Sequence, residues 1–263
     1  MFEPLRVHAA GLGGDWPALA ELQRLLDRRA PAVRNASGVA LRLVPQTPRP
    51  RRFEDRYEAR VFLGGEVQVR ARNWHDLFNV LCWMAFPRAK AALNARHYAA
   101  MVAQRRAGAP NRGPAQDALT LFDEGGVIVA SCDEALLDCL RGWRWKELFW
   151  NRRAQLRARM RFALFGHALY EKARRPFRGI TGRGILIEAT PAVLEAPPAE
   201  RLEILDAAIT ARLSDPAALA ATRELAVVPV LGVPGWCPDN EVEAYYDDAD
   251  YFRPARRAER RGS

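Results

Sequence analysis

Between Asn73 and Phe86 the chain reads NWHDLFNVLCWMAF. Every residue from Val80 to Phe86 is apolar, too greasy a run for a solvent-facing helix and far short of the roughly 20 residues that span a bilayer. Such a segment belongs in the middle of a core, and the rest of the fold has to cover it. With 263 residues, 49% of them hydrophobic, the chain has enough material to do so. Asn73 is placed to cap a helix starting at Trp74, and Pro87 to end or restart it.

Three polar residues open this apolar helix, and they need a reason. His75 and Asn79 are four apart and Asp76 and Asn79 three apart, so all three share one patch of helix surface. Asn73 and Asp76 have the spacing of an N-cap and the third helical residue, a sufficient structural account of Asp76. His75 and Asn79 have no such account. A second pair stands in FGHALYEK. The spacing of Trp145, Leu148, Phe149, Leu156, Met160, Ala163 and Leu164 predicts one helix over 145–173, with His167 and Glu171 on its apolar stripe. A carboxylate there is costly unless it is paired, protonated or bound to a cation.

Elsewhere the pattern predicts a helix over 15–29 opened by Asp15, a strand in GVALRLVP (38–45), and a polar helix from Pro87 to about 107. Two segments, 57–72 and 118–131, each read as strand, Gly-Gly turn, strand and then a capped helix; Ser131 and Glu134 form a capping-box spacing for the second. ILIEA (185–189) is a strand candidate and PAERLEILDAAITARL a helix with Leu202, Leu205, Ile209 and Leu213 on one face. The expected class is α+β: mostly helical, with two short β-hairpins each followed by a helix, and a Pro-, Gly- and aromatic-rich C-terminal segment wrapping the core. A single domain is expected over 1–252, and the Arg-rich tail 253–263 is expected to be disordered.

The formal net charge is +9. Arginine concentrates in PRPRR (48–52), in RGWRWKELFWNRRAQLRARMR (141–161) and in the tail, which raises nucleic acid as a partner. Charge of this kind is also what a solvated arginine-rich surface looks like, and that reading is preferred. Four cysteines lack C-x-x-C spacing, so no zinc ribbon is expected. No apolar run suits a membrane partner and the N-terminus has no secretory pattern, so a cytoplasmic location is expected. GITGRG (179–184) precedes a strand candidate and follows a helix, the wrong order for a phosphate-binding loop.

Four segments together, NWHDLFNVLCWMAFPRAKAALNARH, ALTLFDEGGVIV, FGHALYEKARRPFRGITGRG and VPVLGVPGWCPDNEVEAYYDDADYFRP, resemble the bacterial family Domain of Unknown Function 3025 over residues 55 to 256. The resemblance implies a self-contained bacterial domain and carries no activity, cofactor or site residue with it.

From the residues, the expected function is a metal-assisted hydrolase acting on a phosphoester or similar anionic small substrate. His75, Asp76, His167 and Glu171 are the candidate catalytic groups, and His75, His167 and Glu171 the candidate ligands of a divalent metal. Asn79, Arg175 and Arg183 are the candidate substrate contacts. Asp123 and Glu124, and Asp247 and Asp248, are further carboxylates whose simplest reading is solvated turns. One alternative is a non-catalytic Arg-rich protein that binds nucleic acid or another anionic partner. Another is purely structural, with the His/carboxylate pairs fastening helices together. All turn on one quantity: the distance between His75 and His167.

Overall fold

The computed structural model describes residues 1–47, 50, 52–109 and 111–254; most of the expected disordered tail, and much of the PRPRR run, lie outside the described residues. The apolar segment is the helix α4 (Trp74–Ala85), buried at every residue from Asp76 onward. Asn73 caps it as its spacing predicts, its side-chain oxygen accepting from the Asp76 N–H at 3.0 Å. At Pro87 the chain restarts as α5 (Pro87–Arg106), proline being tolerated in a first turn where no N–H partner is needed. Around this pair lie α1 (Glu3–Ala9), α2 (Leu19–Asp27) and α3 (Tyr57–Gly64). The α2 helix begins four residues after Asp15, with Ala18 at the cap position.

Neither expected hairpin forms. Residues 57–64 are α3, and only 66–69 form a strand, β2 (Glu66–Val69), which pairs in parallel with β1 (Arg42–Pro45). A parallel pair requires a crossover, and α3 supplies it. Gly65 ends α3 at φ +67, and a Cβ there would meet the Ala40 carbonyl at 2.5 Å. The first Gly-Gly is therefore a left-handed helix stop, which looks like a hairpin turn when only the sequence is read. Likewise 114–125 is α6 (Pro114–Gly125), running without a loop into β3 (Gly126–Ser131). The next helix, α7 (Glu134–Arg141), is capped by Asp133 and not by Ser131, whose hydroxyl binds the Asp133 and Arg159 carbonyls instead.

The expected long helix 145–173 is three elements after a π-turn at Glu147–Asn151: α8 (Arg153–Arg159), β4 (Met160–Leu164) and α9 (His167–Ala173). Met160, Ala163 and Leu164 are buried, as their spacing demanded, but in a strand. Next come β5 (Thr181–Glu188), α10 (Pro191–Glu195), α11 (Pro198–Ser214) and β6 (Ala226–Pro229). The main sheet has the order β4-β3-β5-β6, with β3 and β5 parallel and the outer pairs antiparallel. All six β3 residues are buried, as befits a central strand covered on both faces. The fold is α+β.

The C-terminal segment packs as an ordered irregular wrap. Fully buried Asn240 donates to the Leu231 and Val233 carbonyls, both at 2.8 Å, and Tyr251 donates to the Ile180 carbonyl at 2.7 Å. Among the described residues no helix is long and apolar enough to cross a membrane.

Candidate functional site

Two chain reversals build the site. At the α6–β3 junction, Gly126 follows the helix so tightly that any side chain would collide with the Phe122 carbonyl, leaving Asp123 and Glu124 on the last turn of α6. At the β4–α9 junction, Phe165 and Gly166 both donate to the Gly126 carbonyl, at 2.9 and 3.0 Å. A Cβ on Gly166 would sit 2.5 Å from the Glu124 carbonyl oxygen. These glycines let the first residue of α9, His167, lie against the last turn of α6. Helix α4 packs against α9 and brings His75 from its first turn to the same place.

There the two rings meet edge to face, and His75 Nε2 lies 3.0 Å from His167 Nε2. Glu124 Oε1 is 3.8 Å from His167 Nε2, and one donor atom from each of His75, Glu124 and His167 falls within 4.8 Å of the others. The opposite ring nitrogens each face a carboxylate. Glu171 Oε2 is 3.4 Å from His75 Nδ1, and Asp123 Oδ1 is 3.9 Å from His167 Nδ1. His167 Nδ1 is buried and makes no hydrogen bond of ordinary geometry with any described residue.

Burial dominates the electrostatics of His167 and pushes its pKa down to about 3, despite the opposing pull of Asp123. The ring is therefore neutral at pH 7, the form in which imidazole serves as a ligand. Burial also raises the Glu124 carboxyl above its ordinary value, against the attraction of His75. Asp123 goes the other way: burial opposes its ionisation, but Lys90, with His167 and His97 behind it, holds it at about 2. Lys90 is only 3% exposed; its ammonium donates to Asp123 Oδ1 at 2.5 Å and to Asn79 Oδ1 at 2.9 Å. Asn79 in turn donates to the Tyr57 hydroxyl at 2.7 Å.

The histidines open onto a cavity of about 280 Å³ whose walls include Tyr57, Glu58, Arg70, Asn79, Asp123 and Glu124. Glu58 is held above its ordinary pKa by burial, and one of its oxygens accepts from Asn94 at 2.5 Å. Asp76 lines the same cavity but is occupied: it accepts from the Arg70 backbone N–H at 2.7 Å and from the Arg70 guanidinium at 2.8 and 2.7 Å.

The residues singled out from sequence thus part company. His75 and His167 come together. Glu171 joins them at Nδ1 of His75, on the far side of the ring from the facing Nε2 pair. Asn79 lines the cavity and is bonded to Lys90 and Tyr57. Arg175 is exposed and does not line the cavity, and Arg183 lines a different one. Asp247 and Asp248 pair with Lys146 and Arg178, away from the histidines. Asp123 and Glu124 were noted as further carboxylates and read as solvated turns; Lys90, Tyr57 and Glu58 were not singled out. Of these three Lys90 alone left a signal, as one of three lysines in the chain and the one set among alanines and Leu93.

The residues that line this cavity, from Gln46 to His167, fall within one matched region. Residues 41–256 match the family described as Protein of unknown function (DUF3025). The chain belongs to this family. No curated protein and no solved structure shows significant similarity to it.

The arginine-rich stretch 141–161 has little free charge. Arg141 pairs with Glu134 and Asp138, Arg144 and Arg152 with Glu147, Arg153 and Arg157 with Glu241, and Arg159 with Asp133. Guanidinium groups committed to carboxylates give up the counterion release that drives binding to phosphates.

Proposed function

We propose that this DUF3025 chain is a metal-assisted hydrolase whose divalent ion is held by His75, His167 and Glu124. The observation that carries the reading is the pair of facing Nε2 atoms 3.0 Å apart, with a carboxylate behind each ring. Two nitrogens about 2.0–2.1 Å from a shared ion subtend roughly 95° at that separation, an ordinary cis angle. The three donor atoms already lie within 4.8 Å of one another, near enough for small side-chain movements to bring them round one ion. Asp123 and Glu171 take the part that carboxylates commonly play behind ligating histidines, fixing tautomer and ring orientation. Glu171 is thereby moved from the ligand set to a supporting one, and Glu124 replaces it.

The acidic walls favour this assignment. Among the described residues that line the cavity, four carboxyl groups, Glu58, Asp76, Asp123 and Glu124, stand against one arginine, Arg70, a lining better suited to a cation than to an anion. An anionic substrate such as a phosphoester would then be drawn by the ion and not by an arginine clamp. When bound, a divalent ion lowers the pKa of coordinated water and polarises the substrate oxygen. His75, His167 and Glu124 leave open positions for both. Glu58, its carboxyl reluctant to ionise, is placed on the cavity wall to exchange a proton with substrate or water. The four free cysteines suit the reducing cytoplasm expected from the sequence.

The test is elemental analysis of untagged protein, followed by titration of chelator-treated protein with Zn²⁺ and Mn²⁺ and assay of chromogenic phosphoesters and carboxylesters. The expected result is one ion per chain, lost in His75→Ala and His167→Ala, and hydrolysis that depends on it. Protein that takes up no metal and melts identically with and without chelator would leave the pair as a His–His hydrogen bond tying α4 to α9.

A further inference from the structure

A second cavity, of about 640 Å³, shares no lining residue with the histidine site. Its size is typical of small-molecule sites. Four arginines surround it, each from a different part of the chain: Arg141 at the end of α7, Arg183 on β5, Arg212 in the last turn of α11 and Arg223 in the turn before β6. Arg141 is neutralised by Glu134 and Asp138. The side chains of Arg183, Arg212 and Arg223 make no hydrogen bond or ion pair with any described residue. Among the described residues the only acid in the wall is Glu224, and both its oxygens accept from backbone N–H groups, of Leu219 at 2.8 Å and Ala221 at 3.1 Å.

The remaining wall is apolar and partly aromatic. Trp143 stands beside Ile185, Leu186 and Val227. Trp143 and Leu219 are both held at positive φ, +55° and +52°, although neither is glycine. Side chains in that region are strained, and a fold keeps them there when their placement matters. Three guanidinium groups share this cavity with one carboxylate, an excess of positive charge that an anion would balance. Guanidinium forks match phosphate oxygens in pairs, and an indole presents a face on which a planar ring can stack.

We propose that this cavity binds a small phosphorylated ligand that carries a planar ring, a nucleoside phosphate in chemical class. Arg183, Arg212 and Arg223 take the phosphate, and Trp143 takes the ring. The inference does not rest on the metal site and stands or falls separately from it.

Isothermal titration of the full-length protein with AMP, orthophosphate and adenosine tests it. AMP binds with a dissociation constant below about 1 mM, orthophosphate more weakly and adenosine not measurably. Arg183→Met and Arg212→Met each weaken AMP at least tenfold, and Trp143→Phe leaves more affinity than Trp143→Leu. Arg223→Met, on an exposed turn, repeats the arginine test if either of the others fails to fold. Absence of AMP binding, adenosine binding as tightly as AMP, or unchanged affinity in the arginine variants each overturns the proposal. So does binding of single-stranded RNA that AMP does not compete.

Discussion

Replacing Lys90 with methionine keeps the length of the side chain and removes its charge. The consequence follows from what Lys90 holds. Its ammonium, 3% exposed, lies 2.5 Å from Asp123 Oδ1, 2.9 Å from Asn79 Oδ1 and 5.5 Å from the centre of the Trp83 ring. The Asp123 carboxyl sits at about 2 in place of 3.8: burial opposes its ionisation, and Lys90, first among its neighbours, together with His167 and His97 more than offsets that. At 1.36 kcal/mol per pKa unit that difference corresponds to roughly 2–3 kcal/mol of folding stability at neutral pH. Breaking one side of a buried pair costs about 3–5 kcal/mol by general experience. Lys90→Met is therefore expected to lose about 3 kcal/mol at pH 7, a fall in Tm of roughly 6–12 °C for a chain of this size. The sign with pH is fixed. A carboxyl depressed in the folded state adds stability that is present above its unfolded pKa and is lost as pH falls from about 4 toward 2. Urea unfolding of chelator-treated protein, followed by circular dichroism, measures the loss; the gap to wild type should be largest at neutral pH and narrow as the pH falls. In Lys90→Met/Asp123→Asn much of the loss should return, since no buried charge is left without a partner. A single variant within 0.5 kcal/mol of wild type, or a double variant showing simple addition, would refute the argument that this ion pair is an energetic unit.

Three further outcomes test the site and its scaffold. Gly166→Ala forces a Cβ onto the Glu124 carbonyl and Gly126 backbone, so it should cost about 2 kcal/mol or more and weaken metal uptake by displacing His167 and Glu124 together; thermal melts and metal titration read the two effects. Glu171→Gln, at a half-exposed position 3.4 Å from His75 Nδ1, should leave Tm within about 2 °C while weakening metal binding some tenfold; an unchanged affinity would remove Glu171 from its supporting role. In metal-free protein, His167 is held neutral by burial, at about 3 against 6.5 when exposed. The unfolded chain takes up that proton first, so stability should fall as pH drops below about 6.5, and His167→Gln should flatten that slope in urea titrations between pH 7 and 5.

Much of the architecture could be read from local chemistry. The cap at Asn73, the restart at Pro87 and the burial of VLCWMAF follow from rules that operate within one or two turns, and the structure keeps them. The same local rules failed at the glycine pairs. A Gly-Gly between alternating residues serves a hairpin and a helix stop equally well, and which one forms depended on Ala40 packing over Gly65 and Phe122 over Gly126. The helix expected over 145–173 failed for a related reason. Met160, Ala163 and Leu164 had to be buried, but burial spaced by three and four also suits a strand entered from a short helix, and pairing with β3 settled the choice.

For the site, the sequence by itself determined that His75 and His167 needed partners, because each occupies an otherwise apolar setting where an unsatisfied ring nitrogen is costly. It did not determine what those partners are. Glu124 and Asp123 have the local look of solvated turn residues, and Lys90 that of an ordinary helix lysine. They became a site through the crossing of three chain segments at the Gly126–Gly166 contact. Three unpaired arginines reached one cavity by the same route, from positions 183, 212 and 223. Helix caps and apolar runs are decided by neighbours in the chain, and so they are written there. Which carboxylate faces which imidazole is decided by packing between elements separated by tens of residues, and only the tertiary structure holds that information.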